Sequence, residues 1–591
     1  MSNKQDNSSF DFQGLKRVIG VGLQSKGLFL SVVAIAVLSS AVSIYRPYLT
    51  GAAIDQYIVN YDAVGLQKQL ILIGGTLLLE GFLQFFLIYL ANVVAQKVIR
   101  YLRVKLYNHL LTFKLGYFDR TPNGVLVTRS VSDIETIAEV FNDGILVILG
   151  DFLRIIFIVG MMYYMNWTLA TVVILILPLM MIITRLFQKA LKNVYHAERT
   201  YTANLNSFVQ ERLTGMNIIQ LFNREKSEYK KFVGINNQLK GTYLKTVFYF
   251  SLLFPVVDIV SATAIGSMIW FGGLRTAIHG DVTVGDIIAF ISFTTMLTQP
   301  MRQIAERFNS IQRGLVGADR VFKILDADES LPNKGKIQLD HIDGKIEFRN
   351  VKFSYVPNNP VIKGISFTTQ PGETIAIVGS TGAGKSTIIN LLSRFYDIDS
   401  GEILIDNHNI YDLDIKNLRQ HVAVVLQDVF LFNSTIYDNI VLGNKDITLE
   451  EVEAAAKIIG IHSFITKLPK GYFTEVSERG ATLSVGQRQL ISFLRAYIYN
   501  PEVLVLDEAT SSIDTASEKL IQKATEKITE NRTSIIIAHR LATIKNADKI
   551  LVMENGMIVE SGTHEELLAQ HGFYHQLYEV QFIDEENKKN K

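Results

Sequence analysis

Thr374-Ile-Ala-Ile-Val-Gly379-Ser380-Thr381-Gly382-Ala383-Gly384-Lys385-Ser386-Thr387-Ile-Ile-Asn390 begins as a β-branched apolar run and ends as a helical pattern. The loop between them satisfies G-x-x-x-x-G-K-[ST], and its strand–loop–helix setting separates it from a chance glycine-rich turn. Its glycines let backbone N–H groups approach an anion. The helix opening at Lys385 turns the positive end of its dipole to the same point. Residues Gly379 to Thr387 are therefore expected to wrap the phosphates of ATP. Lys385 is expected to reach the β- and γ-phosphates, and the Ser386 hydroxyl to ligate Mg²⁺.

Two later segments add to this reading. Val503-Leu-Val-Leu is a buried strand that ends in Asp507-Glu508. Asp507 suits coordination of Mg²⁺ through water, and Glu508 suits polarising an attacking water. Leu483-Ser484-Val485-Gly486-Gln487 lies just before a helical pattern. The positive end of that helix would favour an anion near Ser484 and Gly486.

The first half of the chain has another character. Hydrophobic residues make up 48% of the 591 and charged residues only 19%, with the apolar excess before about Leu325. Six stretches, roughly 27–49, 69–94, 141–165, 168–187, 246–272 and 282–304, approach or exceed the ~20 apolar residues of a membrane-spanning helix. Only Asn166-Trp167 separates the third from the fourth, which predicts a tight hairpin. The gaps at about 95–140 and 188–245 are long and charged, with Lys97, Arg100, Arg103, Lys105, Lys114, Arg120 and Arg129 in the first. Of Lys and Arg, the short gaps contain Lys68 or Arg275 alone. This positive-inside bias puts the long loops, both termini and the ATPase on the cytoplasmic side. Lys16, Arg17 and Lys26 precede the first apolar run, with no small-residue cleavage site after it, so that run is expected to stay as an anchor. A net charge of +1 argues against nucleic acid as a partner. The absence of cysteine excludes disulfides, thiolate metal sites and cysteine nucleophiles.

The expected fold is a membrane α-helical domain of six transmembrane helices followed by an α/β P-loop ATPase domain with a helical subdomain. Residues 1–26 form a cytoplasmic segment, 27–325 the transmembrane domain, 326–343 a polar linker, 344–582 the ATP-binding domain and 583–591 a charged tail. Gly344-Lys-Ile-Glu-Phe-Arg-Asn-Val-Lys-Phe-Ser-Tyr355 alternates like an antiparallel strand pair. Beyond it, short β-branched runs alternate with helical patterns, which predicts a mostly parallel sheet.

With these motifs in this order the chain resembles the ATP-binding cassette (ABC) superfamily, and within it the exporters whose membrane and ATPase domains are fused. The resemblance covers nearly the whole chain. It implies that Tyr355 stacks on adenine, that Gln427 senses Mg²⁺ and the membrane domain, and that His539 contacts the γ-phosphate. It makes Glu508, His539 and Gln427 the catalytic set, with Ser386, Gln427 and Asp507 around the metal. Ser511-Ser512-Ile513-Asp514 looks like the family's D-loop, and Ser484, Gly486 and Gln487 belong to its signature segment. In this family that segment cannot reach its own phosphate loop. Two ATPase domains sandwich two ATP molecules head to tail, which implies a dimer with a second half-transporter.

Two positions depart from the family pattern. Val485 and Ser477 stand where glycine is usual. A weakened signature beside an intact Glu508 and His539 resembles one half of a heterodimeric exporter. A homodimer that tolerates Val485 is the other reading, and both stay open.

The membrane half carries the resemblance further. Tyr117-Phe118-Asp119-Arg-Thr-Pro122-Asn-Gly124 and Glu211-Arg-Leu-Thr-Gly215-Met-Asn-Ile-Ile-Gln-Leu221-Phe222 look like two intracellular loop motifs whose short helices press on the ATPase domains. The implied activity is ATP-driven export or flipping of an amphipathic drug or lipid across the cytoplasmic membrane, by alternating access. An ATP-gated channel or regulator is the alternative. Polar residues in or near the spans are Glu80, Gln84, Asp151, Arg154 and Asp258. A charge there usually faces a cavity or a partner. Glu80 is the candidate for touching cargo, and Asp151 and Arg154, on one helical face, are expected to neutralise each other.

Overall fold

The computed structural model describes residues 11–175, 177–278, 280, 282–333, 335–507, 515–538 and 540–581. The chain divides into two units, residues 1–111 with 123–328 and residues 112–122 with 329–591.

Long helices build the first unit: Lys26–Ala52, Ala63–Leu110, Leu146–Met165, Trp167–Ile174, Leu177–Thr214, Glu225–Ile278 and Val284–Leu325. Among the described residues, four helical stretches are long and apolar enough to cross a membrane: Phe12–Ile58, Ala63–Leu110, Asn123–Met165 and Glu225–Ile278. The fourth and sixth expected spans correspond to Trp167–Ile174 with Leu177–Thr214, and to Val284–Leu325, whose apolar part Val284–Thr298 is shorter. The hairpin turn has a local cause. The Asn166 side chain accepts hydrogen bonds from Thr168 N at 3.1 Å and Leu169 N at 3.2 Å, capping the second helix as the first one ends.

Helix packing in this unit is set by small residues and by apolar rows. Ile158, Met162, Leu169, Ala170, Met268, Phe290 and Phe293 form one buried cluster. Gly51 lies so close to the last long helix that a Cβ there would come within 2.7 Å of the Gly285 carbonyl oxygen. One turn further on, the Asp55 carboxylate accepts from Gly285 N at 2.8 Å and from the Thr283 hydroxyl at 2.5 Å, capping that helix from a neighbour. Two charges expected to need partners have them on other helices. Glu80 lies 3.7 Å from Arg46. Asp151 pairs with Arg307, not with Arg154 as its spacing suggested: a guanidinium from the packed neighbouring helix reaches it, a contact that spacing along one helix cannot reveal.

The second unit holds two sheets. β1 (Ile346–Phe353), β2 (Ile362–Thr369), β4 (Ser400–Ile405) and β5 (His408–Asn409) form an antiparallel sheet in the order β2-β1-β4-β5. β3 (Thr374–Gly379), β6 (Val422–Val425), β7 (Val503–Asp507), β8 (Thr533–Ile537), β9 (Lys549–Glu554) and β10 (Met557–Gly562) form the other, in the order β10-β9-β3-β8-β7-β6. That sheet is parallel except at β10, and every residue of β7 and β8 is buried. Burial on both faces is why these strands read as unbroken apolar runs. The alternating stretch before Tyr355 is one strand, β1, and not a pair. Its partners β2 and β4 come later in the chain, and alternation marks a half-buried strand without naming its neighbour.

Residues 112–122 belong to this second unit although they interrupt the membrane half in sequence. Leu331 N donates to Thr112 O at 2.7 Å, and Lys114 N to Glu329 O at 2.9 Å. The Lys114 ammonium lies 2.8 Å from Asp397, and Arg120 lies 3.1 Å from Glu329. These contacts seat the short helix Leu115–Arg120 on the sheet domain, the role expected for the motif around Phe118.

Candidate active site

β3 delivers the phosphate loop at the buried centre of the parallel sheet, between β8 and β9. Its backbone excludes side chains at two glycines. A Cβ on Gly379 would run into the Met553 carbonyl of β9. Gly384 has φ +100°, where a Cβ would also lie 2.8 Å from Ile362 Cδ1. Helix Lys385–Leu392 starts at once from Gly384. Ser380, Thr381 and Gly382 are exposed at the mouth of the loop, and Ala383 is buried beneath it.

Three contacts define the chemistry. Lys385 is 8% exposed, and its ammonium donates to Gly379 O at 2.8 Å and Ser380 O at 2.9 Å. Burial pushes its pKa below the ordinary lysine value, and the Asp507 charge opposes that shift. The Ser386 hydroxyl donates to Asp507 Oδ2 at 3.0 Å across 121 positions of sequence. The Tyr355 hydroxyl donates to Thr387 Oγ1 at 3.2 Å and accepts from Asn390 Nδ2 at 3.1 Å. The fold thus gathers a buried cation, a hydroxyl–carboxylate pair and a tyrosine that is 43% exposed around one helix start. A hydroxyl and a carboxylate are the hard oxygen donors that Mg²⁺ prefers, so Ser386 and Asp507 fit that ion.

The other expected residues fall in two groups. Gln427 is exposed in the segment after β6, whose Val425 pairs with Leu506 next to Asp507. Ser484, Gly486 and Gln487 sit at the N-terminus of helix Val485–Ile498. Gln487 N donates to Ser484 Oγ at 3.2 Å, and Ser484 N donates to Gln487 Oε1 at 3.0 Å. This capping box fixes the backbone but leaves the Ser484 hydroxyl proton for an outside acceptor. Among the described residues, no hydrogen bond joins this segment to residues 379–387. Val485, in the first turn, is 42% exposed. Ser477 carries a buried hydroxyl with no hydrogen-bond partner among the described residues, so nothing in its surroundings explains a serine there. Glu508, His539 and Asp514, with Ser511, Ser512 and Ile513, lie outside the described residues.

Sequence reasoning missed Asn390 and Tyr396. Asn390 holds the Tyr355 hydroxyl, and Tyr396 packs edge-on to the Tyr355 ring. Asn390 falls five positions after Lys385 on the helix already expected, so helical spacing could have found it. Nothing local marks Tyr396.

Known proteins resemble this chain in sequence. The family model described as ABC transporter transmembrane region matches residues 28–301, and the one described as ABC transporter matches residues 362–511. An ATP-dependent lipid A-core flippase of Syntrophus aciditrophicus is 34% identical over 96% of this chain and 95% of its own. A probable multidrug resistance ABC transporter ATP-binding/permease protein of Bacillus subtilis, YheH, is 37% identical over 88% of this chain and 77% of its own. The uncharacterized ABC transporter ATP-binding protein YfiC of Bacillus subtilis is 36% identical over 96% and 94%.

Proposed function

The chain belongs to the ABC transporter family, with transmembrane region and ATPase fused, and from that premise we propose that it exports or flips an amphipathic or lipid-like cargo as one half of a dimer. It is a multi-pass membrane protein whose ATPase is coupled to transport. The observation that carries the mechanism is the meeting of Ser386 with Asp507 beside Lys385, at the mouth of the phosphate loop. Lys385 and the loop N–H groups would hold the phosphates, and Ser386, Asp507 and Gln427 would hold Mg²⁺, which would supply charge neutralisation at the transferred phosphoryl group. Tyr355 stacks on the base. Glu508 polarises the attacking water, and His539 contacts the γ-phosphate. Ser484, Gly486 and Gln487, with no hydrogen bond to residues 379–387 among the described residues, serve the site of the second ATPase domain, and Asp514 takes the D-loop role that its sequence resembles.

The cargo class rests on the relatives, named for lipid A-core, fatty acid and multidrug transport. ATP-dependent uphill flux in sealed vesicles is expected, and passive flux alone would sink the transporter reading in favour of a gated channel. Val485 decides the dimer. In nanodiscs holding this chain alone, Mg-ATPase activity that Glu508→Gln lowers by about 10²-fold or more assigns a homodimer. A folded protein that binds ATP without turning it over assigns a second chain with a better signature. In the first case Val485→Gly is expected to raise turnover, since it removes a β-branched side chain from a phosphate-facing helix start.

A further inference from the structure

The short helix Leu115–Arg120 and the Tyr355 ring are joined by one residue. The Tyr396 hydroxyl donates to Asp119 at the C-terminal end of that helix. Its ring stands edge-on to Tyr355, with centroids 5.0 Å apart at 87°, and Phe353 closes the cluster at 4.7 Å from Tyr355 and 5.8 Å from Tyr396. Gly116 lets the helix lie against this ring, since a Cβ there would already be 3.4 Å from Tyr396 Cε1. At its other end Tyr355 is held by Thr387, two residues beyond Lys385. The Tyr355 ring is thus pinned through its hydroxyl at Thr387 and by its perpendicular contact with Tyr396, leaving part of its surface open. Burial, with the Asp119 hydrogen bond, holds the Tyr396 hydroxyl protonated well above the ordinary phenol range, so it stays a donor to the carboxylate.

We propose that Tyr396 is a positioning residue for nucleotide binding: it sets the Tyr355 ring for the base and ties that setting to the position of the Asp119 helix. This rests on the reading of Tyr355 as the base-stacking residue. A shift of the Asp119 helix pulls on the Tyr396 hydroxyl and turns the edge against which Tyr355 packs, and binding of a base loads the same contact in reverse. The neighbouring ion pair of Lys114 with Asp397 also fastens the helix without bonding the Tyr396 hydroxyl, so its loss serves as the comparison.

The test measures dissociation constants for ATP and for inorganic tripolyphosphate, which has no base, on the full chain in nanodiscs. Tyr396→Leu is expected to weaken ATP roughly 3- to 10-fold, the scale of one lost edge-to-face ring pair, and to leave tripolyphosphate unchanged. Tyr355→Leu is expected to do the same, and the double variant no more than Tyr355→Leu alone. Tyr396→Phe and Asp119→Ala, which keep the ring, are each expected to weaken ATP about 2- to 3-fold, the lower end of what one hydrogen bond contributes, and Lys114→Ala by less than either. Equal weakening of both ligands, additive effects of Tyr355→Leu and Tyr396→Leu, or a Lys114→Ala effect as large as that of Tyr396→Leu would overturn the proposal. Where Tyr396→Leu fails to fold, Tyr396→Phe and Asp119→Ala decide it by the same comparison of the two ligands. Unchanged ATP binding in Tyr355→Leu strikes the base-stacking reading itself, whatever Tyr396 does.

Discussion

Methionine at Lys385 is expected to reduce ATP hydrolysis by about 10²- to 10³-fold while leaving thermal stability unchanged or slightly higher. The loss follows from position. The Lys385 ammonium is held at the loop mouth by the Gly379 and Ser380 carbonyls, beside the backbone N–H groups of the loop. Without it those carbonyls face the incoming phosphates with nothing positive between them. The stability side follows from the sign of the pKa shift. Burial lowers the Lys385 pKa from its ordinary 10.5, so folding disfavours the charged form. That cost is present below the lowered folded pKa and disappears above 10.5, so removing the cation removes a cost instead of a support. Stability is given up here for function. The same shift predicts a pH effect. ATP affinity should fall as pH rises through the lowered pKa, before 10.5 is reached, and Lys385→Arg should delay that fall because a guanidinium keeps its proton. A titration flat up to that pH, or a strongly destabilised Lys385→Met, would contradict this account.

Methionine at Arg394 is expected to do the opposite, removing about 2–4 kcal/mol of stability from the ATPase unit while leaving every site residue in place. Arg394 is 2% exposed, and its guanidinium donates to Pro332 O at 2.7 Å, Leu413 O at 3.2 Å and Ile410 O at 3.3 Å. It also lies over the Tyr411 ring at 5.0 Å. No carboxylate pairs with it among the described residues, so three carbonyl dipoles and the Tyr411 ring face its charge. The three carbonyls come from the segment entering the sheet domain and from the chain after β5, which the guanidinium staples together. Methionine fills part of the volume and leaves the carbonyls buried without donors. The first transition of a denaturant melt on the full chain, read by tyrosine and tryptophan fluorescence, measures the loss. A change below about 1 kcal/mol would mean that other donors reach those oxygens. Two-unit chains need not unfold in one step, so that first transition is the quantity to compare.

The division between what could be read early and what could not follows the range of the forces. The phosphate loop, the strand ending in Asp507, the capped hairpin at Asn166 and the long apolar helices were all legible as strings. Each depends on backbone propensity, on hydrogen bonds a few residues away, or on solvent preference repeated along one segment. The Ser484 cap is of the same kind. Other features depend on which distant segments pack together. The Ser386–Asp507 contact is implied by motif order, but its 3.0 Å spacing exists only because β3 and β7 flank β8 in one sheet. Asp151 takes Arg307 for a partner because two helices cross there, and local spacing had pointed to Arg154. Nothing local marks Arg394, around which three carbonyls close in the fold. The attachment of residues 112–122 to the sheet domain has no local signature beyond a resemblance, since its hydrogen bonds go to Glu329, Leu331, Tyr396 and Asp397. Short-range periodicity and turn chemistry are written residue by residue, so the element types and the phosphate loop were present in the string. Sheet order, buried charge partners and the tie from Asp119 to Tyr355 arise from packing between segments distant in sequence, and only the folded chain decides them.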